Sequence, residues 1–392
     1  MAIYLDHAAT SPLTPEVLAA YVSALGVVGN PSSIHSQGQN AKRMLEEARE
    51  QVAASLGADS VEVTFTSGGT ESINLAVKGL YWARNKSPAL RPRVLIAAGE
   101  HHATVDAASW LGAFEGAIIE EVAIDEAGRI DLSALEAALA DDVALVSILW
   151  ANNEVGTIQP IADVVALAAA HGVPVHADAV AAYGYIPLDF HASGLAALSV
   201  SAHKIGGPTG TGALVLARSA TVIPLIHGGN QQRGRSGTQD AAGAVAFGVA
   251  ASAAVRDLAA HSVALQVLRD RLIAGVREAV PQAILRGDPV DRLPGNAHFT
   301  FAGCEGDSLL FLLDVAGFSV STGSACQAGV PEASHVLLAM GLSEADARGA
   351  LRMTLNHTTT TDEVDAFIAA LPAVVSRATA AGYADRDVSR GA

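Results

Sequence analysis

From about residue 15 to residue 255 the chain alternates short apolar runs with longer amphipathic or Ala-rich stretches. Few folds accept that rhythm, because strands separated by helical stretches are joined by crossovers, which gives an α/β domain with a mostly parallel sheet. Strands are expected at about residues 61–66, 93–97, 144–149, 173–177, 198–201 and 213–216. Between them, residues 37–56 carry Met44, Ala48, Val52 and Leu56 at a spacing of four, and residues 161–171 end at Gly172 as a helix C-cap would. After about residue 255 the pattern changes to a long helix at 259–280, strand-like segments at 297–301 and 318–321, and two further helices. The last starts at Thr360 with Glu363 three residues on, a capping-box spacing, and carries Val364, Phe367, Ile368, Leu371 and Val375 on one stripe. This describes a smaller α+β domain with an Ala/Arg-rich tail, expected to fray after residue 376. A cleft between two such domains is a common place for a ligand.

At 392 residues, 50% of them hydrophobic and 16% charged, the chain is long enough for two or three domains with a large core. Its scarce residues narrow the chemistry. Only Cys304 and Cys326 carry thiols, and only Lys42, Lys78, Lys86 and Lys204 carry amines. Two cysteines cannot supply a four-Cys metal site or a disulfide framework, and no residue pattern points to a metal. A formal charge of −16 argues against a broad nucleic-acid or anionic-membrane footprint. The N-terminus shows no basic region followed by an apolar stretch, and no run of 18 apolar residues occurs, so the expectation is a cytoplasmic protein without direct nucleic-acid or membrane partners.

Several motifs carry chemistry. Thr66-Ser67-Gly68-Gly69-Thr70-Glu71-Ser72 follows a strand and opens the helical run 73–78, a place where backbone N–H groups and a helix N-terminus can hold an anion; a plain βα turn reads the same way. Ser201-Ala202-His203-Lys204-Ile205-Gly206-Gly207 puts a lysine at a strand-end turn. A partly buried lysine is a nucleophilic amine able to form a Schiff base, whereas Arg, which makes up most of the basic residues here, is not. His176-Ala177-Asp178 ends another strand, and ligands of parallel sheets bind outside carboxyl ends of strands, which places Asp178, Lys204 and Thr70 at one edge. Ser321-Thr322-Gly323-Ser324-Ala325-Cys326 is a small-residue stretch suited to an exposed thiol, while Cys304 reads as inert and buried. Glu100-His101-His102 offers acid/base imidazoles, and Arg352 offers a fork for a carboxylate.

Taken in order along nearly the whole chain, these motifs, with Tyr4-Leu5-Asp6-His7-Ala8-Ala9-Thr10, Asn152-Asn153-Glu154-Val155-Gly156 and Arg235-Ser236-Gly237-Thr238, resemble the NifS/IscS-like cysteine desulfurases of the class V aminotransferase family. The resemblance implies the fold-type I architecture of pyridoxal-phosphate enzymes: a large α/β domain over residues 15–255 with a mostly parallel, seven-stranded type of sheet, and a small α+β domain from residues 1–14 and 256–392 that carries the cysteine loop. It also implies pyridoxal 5′-phosphate as cofactor. Lys204 would hold it as a Schiff base, Asp178 would face its ring nitrogen, and His101 would stack on the ring. Gly69, Thr70, Ser201 and His203 would bind the phosphate, with Thr238 reaching it from the partner subunit of a homodimer. Asn153 and Arg352 would hold the carboxylate of L-cysteine. Cys326 would take the sulfur as a persulfide, leave alanine, and pass the sulfur to an acceptor protein, an iron–sulfur scaffold or a tRNA-thiolating enzyme.

Three places depart from the family pattern, four residues in all: Ala181 where Gln is usual, Gln232 where Glu is typical in a stretch one residue shorter, and Asn356-His357 in place of Gly-Arg. A selenocysteine lyase or another class V enzyme such as an aminotransferase, and a non-catalytic sulfur-carrier or regulatory homologue that kept the fold, are the competing readings.

Overall fold

The protein is described by a computed structural model covering residues 2–86, 90–323 and 333–388. A two-residue strand, β1 (Ile3–Tyr4), precedes the strands of the main sheet: β2 (Val63–Thr66), β3 (Arg93–Ala97), β4 (Ile118–Val122), β5 (Val143–Leu149), β6 (Val175–Asp178), β7 (Ala197–Ser201) and β8 (Gly212–Leu216). Their spatial order is β2-β8-β7-β6-β5-β3-β4. Every pairing from β7 across to β4 is parallel, while β8 runs antiparallel to both neighbours. The reversal at β8 follows from its short connection to β7, which has no room for a helical crossover.

Helices cover both faces, so the interior strand β5 is buried at every residue, as its unbroken apolar run demands. On one face Val146, Ile148, Val175, Leu198 and Val215 meet Leu45, Ala48 and Val52 of the helix Ser36–Ser55 and Phe247 of the helix Ala241–Arg256. On the other, Val94, Ile96 and Leu145 meet Ile73 and Val77 of the helix Gly69–Arg84 and Leu111 of the helix His102–Glu115.

Beyond the helix Leu258–Ala279 come β9 (Ala283–Leu285), β10 (Asn296–Phe301), β11 (Phe318–Ser319) and β12 (Ala350–Thr354). The antiparallel sheet β12-β10-β9 shares a second core with the parallel pair β1–β11. Leu5, Val276, Phe299, Phe301, Leu351 and Met353 form that core with Val364, Phe367, Leu371 and Val375, the expected stripe of the C-terminal helix. The capping box forms as its spacing predicts: Thr360 N–H donates to Glu363 Oε2 at 2.8 Å and Glu363 N–H donates to Thr360 Oγ1 at 3.3 Å. The helix continues to Val388, past the point where fraying was expected.

The sequence reading missed some elements. β4 is an edge strand reading Ile-Ile-Glu-Glu-Val, too charged and too exposed to show an apolar run. Ala350-Leu351, outside every strand expected from the sequence, begins β12, because pairing with β10 fixes it in the small sheet. Residues Ser60–Glu62 form a short 3₁₀ turn ahead of β2 instead of extending the strand. Among the described residues no single helix is long and apolar enough to cross a membrane.

One polar stitch runs through the main sheet. His176 on β6 is fully buried, with Nδ1 2.8 Å from Ser147 Oγ on β5 and Nε2 2.8 Å from Ser199 Oγ on β7. Burial pushes its pKa down to about 3 from the ordinary 6.5. The folded state therefore resists a proton that the unfolded chain takes up, and this histidine's stabilising share is complete above pH 6.5 and lost as pH falls toward 3. The limiting loss is about 1.4 kcal/mol per pH unit. The stability difference between the natural protein and His176→Gln, followed by urea denaturation, is expected to shrink as pH is lowered from 7 to 4; a difference independent of pH would contradict a neutral buried imidazole.

Candidate active site

The parallel strands deliver their carboxyl ends to one edge. Asp178 is the last residue of β6, Ser201 the last of β7 and Leu149 the last of β5, and a cavity of about 410 Å³ opens beyond them. Its walls include Gly69, Thr70, His101, Asn153, Asp178, Ser201, His203, Lys204 and Arg352, which the sequence had scattered over almost 300 positions. Gly68 takes a left-handed φ of +149° to turn the chain from β2 into the helix Gly69–Arg84, which puts Gly69 and Thr70 in its first turn at the cavity wall. A Cβ on Gly69 would lie 2.7 Å from Val180 Cγ2, so the wall closes there only around a glycine.

Lys204 stands on the 3₁₀ turn Ala202–Ile205 that ends β7. Its Nζ donates to the backbone carbonyls of Ala8 and, at 2.8 Å, Ala9. Burial, reinforced by the Arg352 charge, lowers its pKa to about 8, against the pull of Asp6 and Asp178. The other lysines sit elsewhere: Lys78 lies over the Trp110 ring at 4.3 Å, and Lys42 and Lys86 are exposed.

Asp178 is buried beneath the cavity, and its Oδ1 accepts the Val180 N–H at 2.9 Å. Burial raises its carboxyl to about 6, with the Val180 bond and Lys204 opposing. His101 caps the helix His102–Glu115, its Nδ1 accepting the Ala103 N–H at 3.0 Å, and its ring edge stays accessible from the cavity. The protein around it, with the charges of Lys204, His102 and His335, lowers its pKa to about 4. His203, 3.3 Å from Thr10 Oγ1, is lowered to about 4 by burial and by Lys204. The site thus presents a weakened amine, neutral imidazoles and an acid that lacks a full counter-charge.

Arg352 comes from the other core, on β12. Its Nη1 donates to Asn153 O at 2.8 Å and its Nη2 to Asp6 Oδ1 at 2.8 Å, while its buried Nε has no partner. Sequence reasoning placed Arg352 and Asn153 in the site but gave no part to Asp6, Ala8 or Ala9, which hold Arg352 and Lys204 in place. The only sign was their position in the Tyr4–Thr10 motif, since a backbone carbonyl leaves no mark in side-chain chemistry.

The aminotransferase class-V family model matches residues 3–367. The chain belongs to this family, within its cysteine desulfurases. An IscS-like cysteine desulfurase of Mycobacterium tuberculosis is 52% identical over 392 residues, covering 99% of this chain and 100% of that one. A solved NifS-like protein superposes with a TM-score of 0.89 at 34% identity, covering 96% of this chain and 100% of the other. A structure described as SspA in complex with cysteine superposes with a TM-score of 0.78 at 30% identity, covering 91% and 99%.

Class V enzymes of this kind use pyridoxal phosphate, and the residues present fit it. Ser201 Oγ is buried in the cavity wall without a hydrogen-bond partner, and among the described residues Asp178 accepts a hydrogen bond from the Val180 N–H and forms no ion pair; a phosphate oxygen and a protonated ring nitrogen would complete them. One predicted residue is not in this cavity. Thr238 is exposed and does not line it, although Arg235 in the same motif pairs with Glu71 at 3.0 Å. Cys326 lies outside the described residues. Cys304 is buried, as expected, with Sγ 3.2 Å from Thr379 Oγ1.

The departures from the family pattern have local consequences. The Gln232 amide receives the Phe65 N–H at 3.0 Å and donates to the Phe65 carbonyl at 2.7 Å, a two-way bond to β2 that a carboxylate cannot make. His357 stacks on His261 with centroids 4.9 Å apart. Ala181 lines the cavity without a polar group to offer. Because Arg352 and Asp6 form a nearly buried pair, Asp6→Ala is expected to cost about 2 kcal/mol in urea denaturation. A cost within 0.5 kcal/mol would mean that the Asn153 carbonyl alone satisfies the guanidinium, that figure being roughly the scale of an ordinary surface change.

Proposed function

We propose that this chain is a homodimeric, cytoplasmic cysteine desulfurase that converts L-cysteine into L-alanine and leaves the sulfur on Cys326 for an acceptor protein. The observation that carries this reading is the meeting, in one cavity, of an amine with a lowered pKa, a buried acid, an orphaned serine hydroxyl and an arginine with a free Nε. The cysteine-bound neighbour and the IscS-like relative support cysteine as the substrate.

Lys204, Asp178, His101, Gly69, Thr70, Ser201 and His203 would hold pyridoxal phosphate. When bound, that group supplies an electrophilic carbonyl and a ring able to take up the electron pair released at the substrate's α-carbon. The rest falls to the chain itself. With a pKa of about 8, Nζ of Lys204 is neutral in roughly a tenth of molecules at pH 7, so it can attack a carbonyl and later carry a proton. Asp178 holds negative charge at the cavity floor. Asn153 and Arg352 bind the substrate carboxylate, with Nε of Arg352 a donor that no protein group occupies. The Cys326 thiolate attacks the substrate sulfur: an S–S bond forms as the C–S bond breaks, the carbon takes a proton in place of sulfur, and the products are alanine and a Cys326 persulfide.

Exposed Thr238, outside its own chain's cavity, supports a homodimer in which it reaches the neighbouring one, and exposed Leu18, Val22, Leu25, Val28 and Ile34 offer an apolar surface for a second subunit. The division into a large domain over 15–255 and a small one from 1–14 and 256–392 belongs to this reading; Leu5, packed in the second core, and the 70° bend between Ala241–Arg256 and Leu258–Ala279 support it. The acceptor is a sulfur-receiving protein of iron–sulfur assembly or tRNA thiolation, with no direct nucleic-acid contact.

Cys326→Ala should keep the yellow colour of the loaded enzyme and lose alanine production from cysteine; continued turnover would remove Cys326 from the chemistry. Loading of the cofactor-free protein with pyridoxal phosphate, followed by absorbance, should speed up about tenfold per pH unit below 8 and level off above it, as the neutral fraction of Lys204 does. A plateau reached only near pH 10.5 would mean that the amine is not held in its lowered state.

A further inference from the structure

Residues 324–332, which include Cys326, run from Gly323 to Ala333, and both of their described flanks meet the same buried carboxyl. Glu154 follows Asn153 in the turn beyond β5 and is 2% exposed. On one side Gly323 packs on it so closely that a Cβ there would lie 3.3 Å from Glu154 Oε2 and 3.4 Å from its Cβ and Cγ. Gly323 also has a φ of +89°, so this approach is made by backbone that a side chain would strain. On the other side the buried Ser334 hydroxyl donates to Glu154 Oε2 at 2.5 Å, and its oxygen accepts the Leu337 N–H at 3.2 Å to start the helix His335–Ala339.

The backbone that carries this carboxyl is tied down on both sides. Asn152 Oδ1 accepts the Glu154 N–H at 2.9 Å, and Asn296 Nδ2 donates to the Glu154 carbonyl at 3.0 Å. Next to Ser334, His335 donates from Nε2 to the Glu100 carbonyl at 2.8 Å and lies 4.7 Å from the His102 ring. The segment's C-terminal flank is therefore seated on both turns that feed the cavity, Glu100-His101-His102 and Asn152-Asn153-Glu154. Burial raises the Glu154 pKa, opposed by the Ser334 bond and by His335, Arg352 and His102 nearby, so the carboxyl is costly to keep there unless its contacts are made.

We propose that Glu154 is a positioning residue for sulfur transfer: its carboxyl fixes both flanks of the Cys326 segment relative to Asn153 and Arg352, which hold the substrate. The proposal rests on the reading of Cys326 as the sulfur acceptor within this chain. Glu154 touches neither substrate nor cofactor in this role, so its loss should spare substrate binding and slow only the arrival of sulfur on the thiol.

The test uses loaded enzyme with two readouts: the absorbance change on titration with L-cysteine, which reports substrate binding, and single-turnover persulfide formation on Cys326, measured by alkylation and mass spectrometry. Glu154→Ala should leave the cysteine titration midpoint within about twofold and slow persulfide formation at least about tenfold. Glu154→Gln, which keeps the volume and an oxygen for Ser334, should recover most of the rate. Ser334→Ala should slow the same step several-fold without removing the carboxyl, and it serves where Glu154→Ala folds poorly. A Glu154→Ala enzyme that loads Cys326 at the natural rate, or that weakens cysteine binding as much as it slows transfer, overturns the positioning role. Cys326→Ala run alongside separates the two claims: if it still releases alanine at the natural rate, the assignment of the nucleophile fails, and not merely the part given to Glu154.

Discussion

The site depends on the direction of three neighbouring strands. β5, β6 and β7 run parallel, so their carboxyl ends place Leu149, Asp178 and Ser201 side by side, and the turns that follow carry Asn153 and Lys204 to the same opening. Parallel strands need long crossovers, and the helices in those crossovers bury both faces of the sheet. Burial of both faces is also what removes water from below Asp178 and raises its pKa to about 6. The architecture and the electrostatics of the site thus share one cause.

The second core contributes through a few polar ties. Arg352 leaves β12 to reach the Asn153 carbonyl and Asp6, and Lys204 reaches the carbonyls of Ala8 and Ala9 in the same N-terminal segment. Leu5, just before that segment, is buried among Phe318, Met353 and Phe367. The N-terminal strand is therefore a strap: its apolar residue is held in one core while its carbonyls meet an amine standing on the other. Arg292, 2% exposed, adds a second tie by donating to the carbonyls of Val155 at 2.9 Å and Arg286 at 3.1 Å.

Much of this was legible in the sequence, because the signals were those of burial and side-chain chemistry. Apolar runs located β3, β5, β6, β7 and β8 to within two residues, and the stripe from Val364 to Val375 faces the core it predicts. The chemistry-bearing motifs and the family resemblance together named nine residues that share one cavity. What escaped was carried by the backbone or by pairing. β4 is held by its hydrogen bonds to β3 although two of its five residues are charged, and Ala350-Leu351 become strand only because β10 lies alongside. Gln232 looked like a weakened Glu, yet its amide closes a two-way bond with Phe65 that only its neighbours make intelligible. Glu154 stood in a quoted motif without an assigned part, since nothing in a sequence shows that residues 323 and 334 approach one carboxyl.

Lys204 differs from an ordinary lysine in how readily it gives up its proton. The reactivity of an amine toward a carbonyl follows its neutral fraction. At pH 7 an ordinary lysine with a pKa of 10.5 is neutral in roughly one molecule in three thousand, whereas Lys204 at about 8 is neutral in roughly one in ten. Burial is the largest cause of that difference, and Arg352 adds to it, so the same guanidinium that would bind the substrate carboxylate also helps release the lysine from its proton. Once a carboxylate pairs with Arg352 the positive charge beside Lys204 is partly neutralised, and the amine becomes more basic. Asp178 and Asp6 oppose burial and Arg352 by holding the proton on, which sets the amine near 8 instead of lower. The chemistry of the site therefore follows from the balance of three charges around one half-buried amine, and from the strand directions that put them there.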